Sequence, residues 1–374
     1  MASYLDAQAF RRLVRLVCAL ALVACTVVVS GAAAASQHSV TPAAEVPDFG
    51  PNVKIFDPSM STSEIKAAVD AIAAEQVSNQ FGTQRYALLF MPGTYGTPTD
   101  PLNFQVGYYT EVAGLGSLPG DVVVNGTIDV YNQCFGPGDC TALVNFWRSL
   151  SNLTINVAGK GGCQSGEFWA TSQAAPMRRV HVNGFMTLMD YCSGPSFASG
   201  GFIADAQLSD VVNGSQQQYL VRNSSLGTWS NGVWNQVFAG VQGAPAQAFP
   251  SPPYTTLDTN PASREKPFLY LDANKHYKVF VPDARFNTSG TTWAKGQTPG
   301  HSIPIEDFFI ARPTDSVKSI NNALSHGKNL LFTPGVYDID KTIKVKRADT
   351  IVLGLGMATL TAQNGVIPMT VADV

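Results

Sequence analysis

Five acidic residues, Asp129, Glu167, Asp190, Asp205 and Asp210, punctuate the middle of the chain. Hydrolysis of a glycosidic bond needs two carboxyls flanking it, about 5 to 9.5 Å apart according to the stereochemical outcome. Glu167 runs directly into Phe168-Trp169, and an apolar ring beside a carboxyl is the setting that raises the pKa of an acid. Glu167, Asp190 and Asp205 are therefore the candidate catalytic groups, each with a solvated turn carboxylate as the plainer alternative. Asp338 and Asp340 in YDIDK share one face of a strand, but they follow a turn inside a repeated block and read as structural.

Aromatic and basic residues offer a binding surface beside these acids. Trp229 and Trp234 lie in GTWSNGVWNQ among Gly and Asn residues, a context that suits a platform for a pyranose face. With Trp169, Arg178 and Arg222 they form the candidate substrate-binding set. The competing reading makes the tryptophans covers over stacked coils and the arginines partners of nearby carboxylates. No Cys/His zinc spacing occurs and no tight carboxylate cluster suggests calcium, so neither metal nor cofactor is expected. Gly354-Leu355-Gly356 lacks the last glycine of a dinucleotide loop. With a net charge of −3 and few charged residues, the chain has no nucleic-acid footprint. The expected partner is an extracellular polysaccharide, met by a monomer, with neither nucleic acid nor nucleotide.

The elements that must carry these residues are organised by a duplication. Leu88–Tyr95 reads LLFMPGTY and Leu330–Tyr337 reads LLFTPGVY. Each is preceded by a stretch of helical period and followed by Gly-Leu-Gly, at Gly114–Gly116 and Gly354–Gly356. In the first copy Ser61 and Glu64 have capping-box spacing, with Ile65, Ala68, Val69 and Ile72 on one face. In the second, Val317, Ile320, Ala323 and Leu324 share a face, and Gly327 is a C-cap. Between the copies lie short runs such as SNLTINV, RRVHVNG, QQYLVRNSS and NQVFAGV, separated by Gly, Ser and Asn. Nothing of helical length intervenes, so parallel strands must be joined by turns. That is the logic of an all-β, right-handed parallel β-helix, with a two-sheet sandwich as the alternative. Asn183 and Asn223 are expected to share a stacked turn position.

Residues 1–35 read as a secretory signal, with Arg11, Arg12 and Arg15 before an apolar run and small residues at Ala32–Ala35. A lipid anchor at Cys25 or an uncleaved helix at the cell surface is the alternative. Beyond the leader stand Cys134, Cys140, Cys163 and Cys192, an even number suited to disulfides; only the short loop Cys134–Cys140 suggests its own pairing. The first β-helical unit is expected over 36–243, a Pro-rich connection with a hairpin over 244–304, and a second unit from 305 to 374. By the arithmetic of the first copy, that second unit lacks on the order of 150 residues.

A helix, LLFxPGxY and a Gly-Leu-Gly turn, given twice in one exported chain, resembles the tandem β-helices of glycoside hydrolase family 55 and the pectate-lyase-like superfamily. WATSQAAPMRRV and GSQQQYLVRNSSLGTWSNGVWNQVFAGVQGAP resemble a subgroup of secreted microbial proteins that often bear adenylyl-cyclase or coagulation-factor 5/8 labels. A cyclase would need metal-binding aspartates on a βαβ frame, and that alternation is missing here. The resemblance implies an exo-acting β-1,3-glucanase, with substrate between the two helices and a glutamate acid from the second. A non-catalytic polysaccharide-binding β-helix is the alternative, and a polysaccharide lyase the third reading. The GDGxTDDT-type opening of such helices is replaced here by DPSMSTSE and RPTDSVKS.

Overall fold

Runs of four to eleven residues stack as coils of a parallel β-helix in the computed structural model, which describes residues 46–372. The leader expected over 1–35 lies outside the described residues. One wall is a path of nine strands: Val53–Phe56, Tyr86–Phe90, Thr110–Gly114, Arg148–Val157, Met177–Thr187, Gly200–Ala204, Gln218–Arg222, Gln236–Ala239 and Tyr254–Leu257. Every neighbouring pair is parallel. The last strand falls within the stretch expected to be a Pro-rich connection, so the wall runs past residue 243.

The register explains why the wall is stable. Leu88, Val112, Leu150, Met177, Ile203, Val221 and Phe238 are successive partners across it. Each is at most 1% exposed, and full burial of such a side chain contributes about 1.5–3 kcal/mol. A second wall stacks Val122–Asp129, the far half of Arg148–Val157, Met177–Thr187, Gln207–Val212 and Ser225–Ser230. The two walls meet at a corner where the backbone is left-handed at Asn152 (φ 55°), Arg179 (56°), Asp205 (55°), Asn223 (45°) and Gly240 (63°). Continuing the pairing by one residue places these five on successive rungs. Asn223 therefore does occupy a stacked turn, but with Asn152. Asn183 belongs to a separate ladder, in which its Nδ2 donates to Asn156 Oδ1 (2.9 Å) and Asn156 Nδ2 to Asn125 Oδ1 (3.0 Å).

Helix α1 (Thr62–Gln76) carries the expected capping box and buries Ile65, Val69 and Ile72 against the first coil. Its counterpart α2 (Val317–Ser325) is capped by Ser316 and buries Val317, Ile320 and Leu324. His326 closes α2 with its Nδ1 2.8 Å from Asn322 O, and Gly327 follows at φ 86°. The duplicated motif is a strand, a turn and a strand held by its tyrosine. Tyr95 Oη donates to Phe56 O and Met91 O, both at 2.8 Å. Tyr337 Oη donates to Ala311 O (2.7 Å) and Thr333 O (2.8 Å).

The second unit repeats the plan with Phe308–Ala311, Asn329–Phe332 and Val352–Gly354 in parallel. Between the units, Phe268–Leu271, Tyr277–Pro282 and Gly300–Pro304 form an antiparallel sheet. Its Leu269, Leu271 and Val279 share a core with Ala87 and Leu89 of the first unit and Leu331 and Leu353 of the second. Two disulfides join Cys134 to Cys140 and Cys163 to Cys192.

Candidate functional site

The seam between the two β-helical units is where the duplication brings chemistry together. Glu111, on the outer face of the long wall, accepts a hydrogen bond on Oε2 from the Gly356 amide at 2.8 Å. Its Oε1 lies 3.4 Å from Lys266 Nζ. Gly356 has φ 57°, and a Cβ there would sit 2.6 Å from Tyr86 O. Only glycine meets both demands, so this Gly-Leu-Gly turn docks one unit on the other. Beside it, Arg85 Nε donates to Thr359 Oγ1 at 3.1 Å while its guanidinium lies 3.5 Å over the Tyr109 ring.

Further along the same wall Arg178 and Arg222 converge on Glu265, at 3.3 and 3.1 Å. Both guanidinium groups also lie against Phe202, at 4.5 and 5.4 Å from its centroid. These two expected binding residues are thus held together as a cation–carboxylate cluster on the seam face, each keeping partial solvent access.

The expected acids are placed otherwise. Glu167 is fully buried; its Oε2 accepts from the Ile128 amide at 2.9 Å, and Oε1 has no partner. Burial, and next the charge of Asp129, hold its carboxyl well above the usual range. Asp129 itself is raised by burial and pulled back by Lys160, which contacts both Asp129 and Tyr131. Glu167 is therefore a core acid that no polymer reaches. Asp190 is a turn carboxylate that accepts from the Cys192 amide (2.8 Å) and the Asn132 amide (3.2 Å). It helps line a surface cleft with Asp129, Asn132 and Lys160, and none of the seam residues lines that cleft. Asp205 is sealed in the corner, paired with Arg179 at 3.2 Å and accepting from Thr292 Oγ1 at 2.7 Å. Burial raises its carboxyl to about 6 against the pull of Arg179.

Two of the three expected tryptophans are core residues. Trp169 is 1% exposed, with Nε1 donating to Ala175 O at 3.3 Å. Trp229 points inward from Ser225–Ser230 between Tyr219 and Phe238, and its Nε1 donates to Gln236 Oε1 at 2.6 Å. Neither is a sugar platform, because both rings are buried in the coil, Trp229 through the alternation of its strand. Trp234 is half exposed, at 49%. Glu111, Lys266 and an exposed Trp147 went unnoticed in the sequence; the Gly-Leu-Gly repeat was the signal that located the seam, and it named no polar partner. Among the described residues no group of three or more His, Cys, Asp or Glu could hold a metal ion.

The coils and seam define a tandem parallel β-helix of the pectate-lyase-like class. The model of the LAM55 pectate lyase-like domain matches residues 308–374. An exo-beta-1,3-glucanase of Streptomyces sp. (strain SirexAA-E / ActE) is 50% identical over 329 residues, which are 87% of this chain and 51% of that protein. The solved structure of Lam55A from Streptomyces sp. SirexAA-E superposes with a TM-score of 0.80 at 49% identity, over 88% of this chain and 57% of that one. A glutamate-to-alanine variant of it, in complex with glucose, gives 0.79 at 48%, over 87% and 56%. The chain belongs to the glycoside hydrolase family 55 group of pectate-lyase-like proteins. It spans about half the length of the relatives it matches.

Proposed function

We propose that this chain is the substrate-binding first β-helix, with the beginning of the second, of a secreted glycoside hydrolase acting on β-1,3-glucan. The observation that carries the reading is the match to an exo-beta-1,3-glucanase over 87% of the chain. The seam supports it, since Glu111–Gly356 and Arg85–Thr359 dock the two units against each other, as a tandem β-helix requires. At the seam both carboxylates already hold cations, Glu111 of the first unit with Lys266, and Glu265 of the connecting segment with Arg178 and Arg222. They orient the wall and leave acid catalysis to the second unit. The two disulfides suit an oxidising exterior, and the protein acts there as a monomer.

Incubating the full-length protein that contains this chain with laminarin and a panel of other polysaccharides tests the reading. Release of reducing sugar from laminarin alone is the expected result, and retention on insoluble glucan without any product would leave a binding module instead. That second reading is favoured by the pairing of Glu111 and Glu265, each already held by a cation at the seam.

A further inference from the structure

The duplication built one groove twice and charged it differently. In each unit the capping helix packs against one strand, α1 against Leu102–Gln105 and α2 against Ile343–Val345, and beside each contact a groove opens, of about 800 Å³ in the first unit and about 820 Å³ in the second. The N-caps Ser61 and Ser316 set the correspondence along the helices. Along the strands it is set by the buried pairs, Leu102 and Phe104 against Ile343 and Val345. Lys66 and Asp70 then match Asn321 and Ser325, while Asn103 and Gln105 match Lys344 and Lys346. The charge has moved from the helix to the strand.

In the first unit the cations of the groove hold the fold. Lys66 Nζ pairs with Asp70 Oδ2 at 2.7 Å and donates to Asn103 O at 3.1 Å, which ties α1 to its strand. Lys160 is taken up by Asp129 and Tyr131. In the second unit an uncharged residue makes the tie: Asn321 Nδ2 donates to Thr342 O at 3.0 Å, and its Oδ1 accepts from the Lys344 amide at 2.8 Å. The ammonium groups are not needed to seat the helix. Lys341, Lys344, Lys346 and Arg347 line the groove with Asp340 as its one carboxylate, and all four cations are exposed. Among the described residues none of the four is in an ion pair. Arg347 Nη2 is engaged by Gly327 O at 3.1 Å and Asn329 Oδ1 at 3.2 Å. Lys344 and Lys346 alternate with the buried Ile343 and Val345, so they project from one face about 6.5 Å apart.

We propose that this groove binds a linear phosphate-bearing polyanion, held by Lys341, Lys344 and Lys346. Clustered cations with no counter-charge repel one another, a cost that an anionic ligand removes. An ammonium is a point charge that takes a phosphate oxygen from many directions, whereas a carboxylate is best met by the planar fork of an arginine. The groove offers three lysines and one arginine whose fork is already engaged. No aromatic ring lines it, so neither a nucleic-acid base nor a neutral pyranose has a face to stack on. Attraction is local: the whole chain carries −3, but at 0.1 M salt a charge acts over only about 10 Å. None of the seam residues lines this groove, and the proposal stands apart from the glucan reading.

Fluorescence anisotropy of end-labelled inorganic polyphosphate, titrated with the full chain over a series of salt concentrations, tests it, with labelled polygalacturonate as the carboxylate comparison. The wild type should bind polyphosphate more tightly than polygalacturonate, with an affinity that falls as salt rises. The double variant Lys344→Gln, Lys346→Gln should lose about tenfold in affinity, and its slope of log affinity against log salt should flatten by about 1.4, or about 0.7 for each charge removed. Lys344→Arg with Lys346→Arg keeps the charge and should keep the slope. Lys318→Gln, on α2 but outside the groove, should change neither quantity. Lys318, Lys344 and Lys346 are all exposed, so their loss leaves the core intact. The proposal is overturned if the wild type does not bind polyphosphate, if the double variant binds as well as the wild type, if Lys318→Gln loses as much as the double variant, or if polygalacturonate binds as tightly as polyphosphate.

Discussion

The two edges of the long wall are built from the same backbone device and put it to opposite uses. At the buried corner, Asn152, Arg179, Asp205 and Asn223 take the left-handed conformation with their side chains at most 4% exposed. Each is answered: Asn152 Nδ2 donates to Gly114 O and Gly116 O, Arg179 meets Asp205 and Thr298, and Asn223 meets Ser263 and Thr288. At the open edge, Trp147 and Ala174 bear the same strain and face solvent. A left-handed rung is cheap when a polar side chain locks it from inside. Where nothing locks it, the strain is borne by the rungs on either side.

Breaking the buried corner should give the largest effect. Arg179→Met leaves Asp205 without its cation in a site with no solvent, and removal of one partner from such a pair costs about 3–5 kcal/mol. Urea denaturation at pH 7 measures it; a loss below 1 kcal/mol would show that the corner is not a locked element. The corner should also respond to acid. Because burial lifts Asp205 from 3.8 to about 6, the folded state holds that proton more tightly than the unfolded chain does. Its contribution is fully present below pH 4 and is lost as the pH rises through 6, with a slope approaching about 1.4 kcal/mol per pH unit. Asp205→Asn cannot titrate, so the difference between the wild-type and variant stability profiles should carry that slope; parallel profiles would remove Asp205 from the account.

The contrast between the edges also explains what could be read from the residues beforehand. The coils were legible because apolar runs, Pro-Gly turns and the LLFxPGxY repeat are local, and local patterns survive without coordinates. Trp229 misled because its neighbours in GTWSNGVW are polar; in a strand they face outward and the ring faces in. Asp205 misled for a related reason, since a coil corner can bury a polar group as soon as a segment such as Thr291–Thr298 seals it, and Glu167 because the strand turns it into the core beneath Ile128. Trp147, Ala174 and Gly200 lie 27 and 26 residues apart. Loops of unequal length separate them, so only the strand register reveals that they share an edge.

A gentler pair of substitutions sharpens the comparison at equal chemistry. Ala174→Gly removes a Cβ from a left-handed residue that is exposed and unlocked. Relief of about 1 kcal/mol is set against the greater freedom of glycine in the unfolded chain. Stability should hold or rise by a few tenths of a kcal/mol. Asn223→Gly relieves less strain, because asparagine already tolerates the conformation, and it deletes the side chain that reaches Ser263 Oγ at 2.8 Å and Thr288 Oγ1 at 3.1 Å. Two part-buried hydrogen bonds would be lost, and stability should fall by about 1–3 kcal/mol. Thermal melts of the two variants side by side read the sign directly. Opposite signs mean that one edge is held by its side chains and the other by the rungs on either side of it; a fall of equal size in both would show that Ala174 is as firmly locked as Asn223, and the open edge would lose its claim to stored strain.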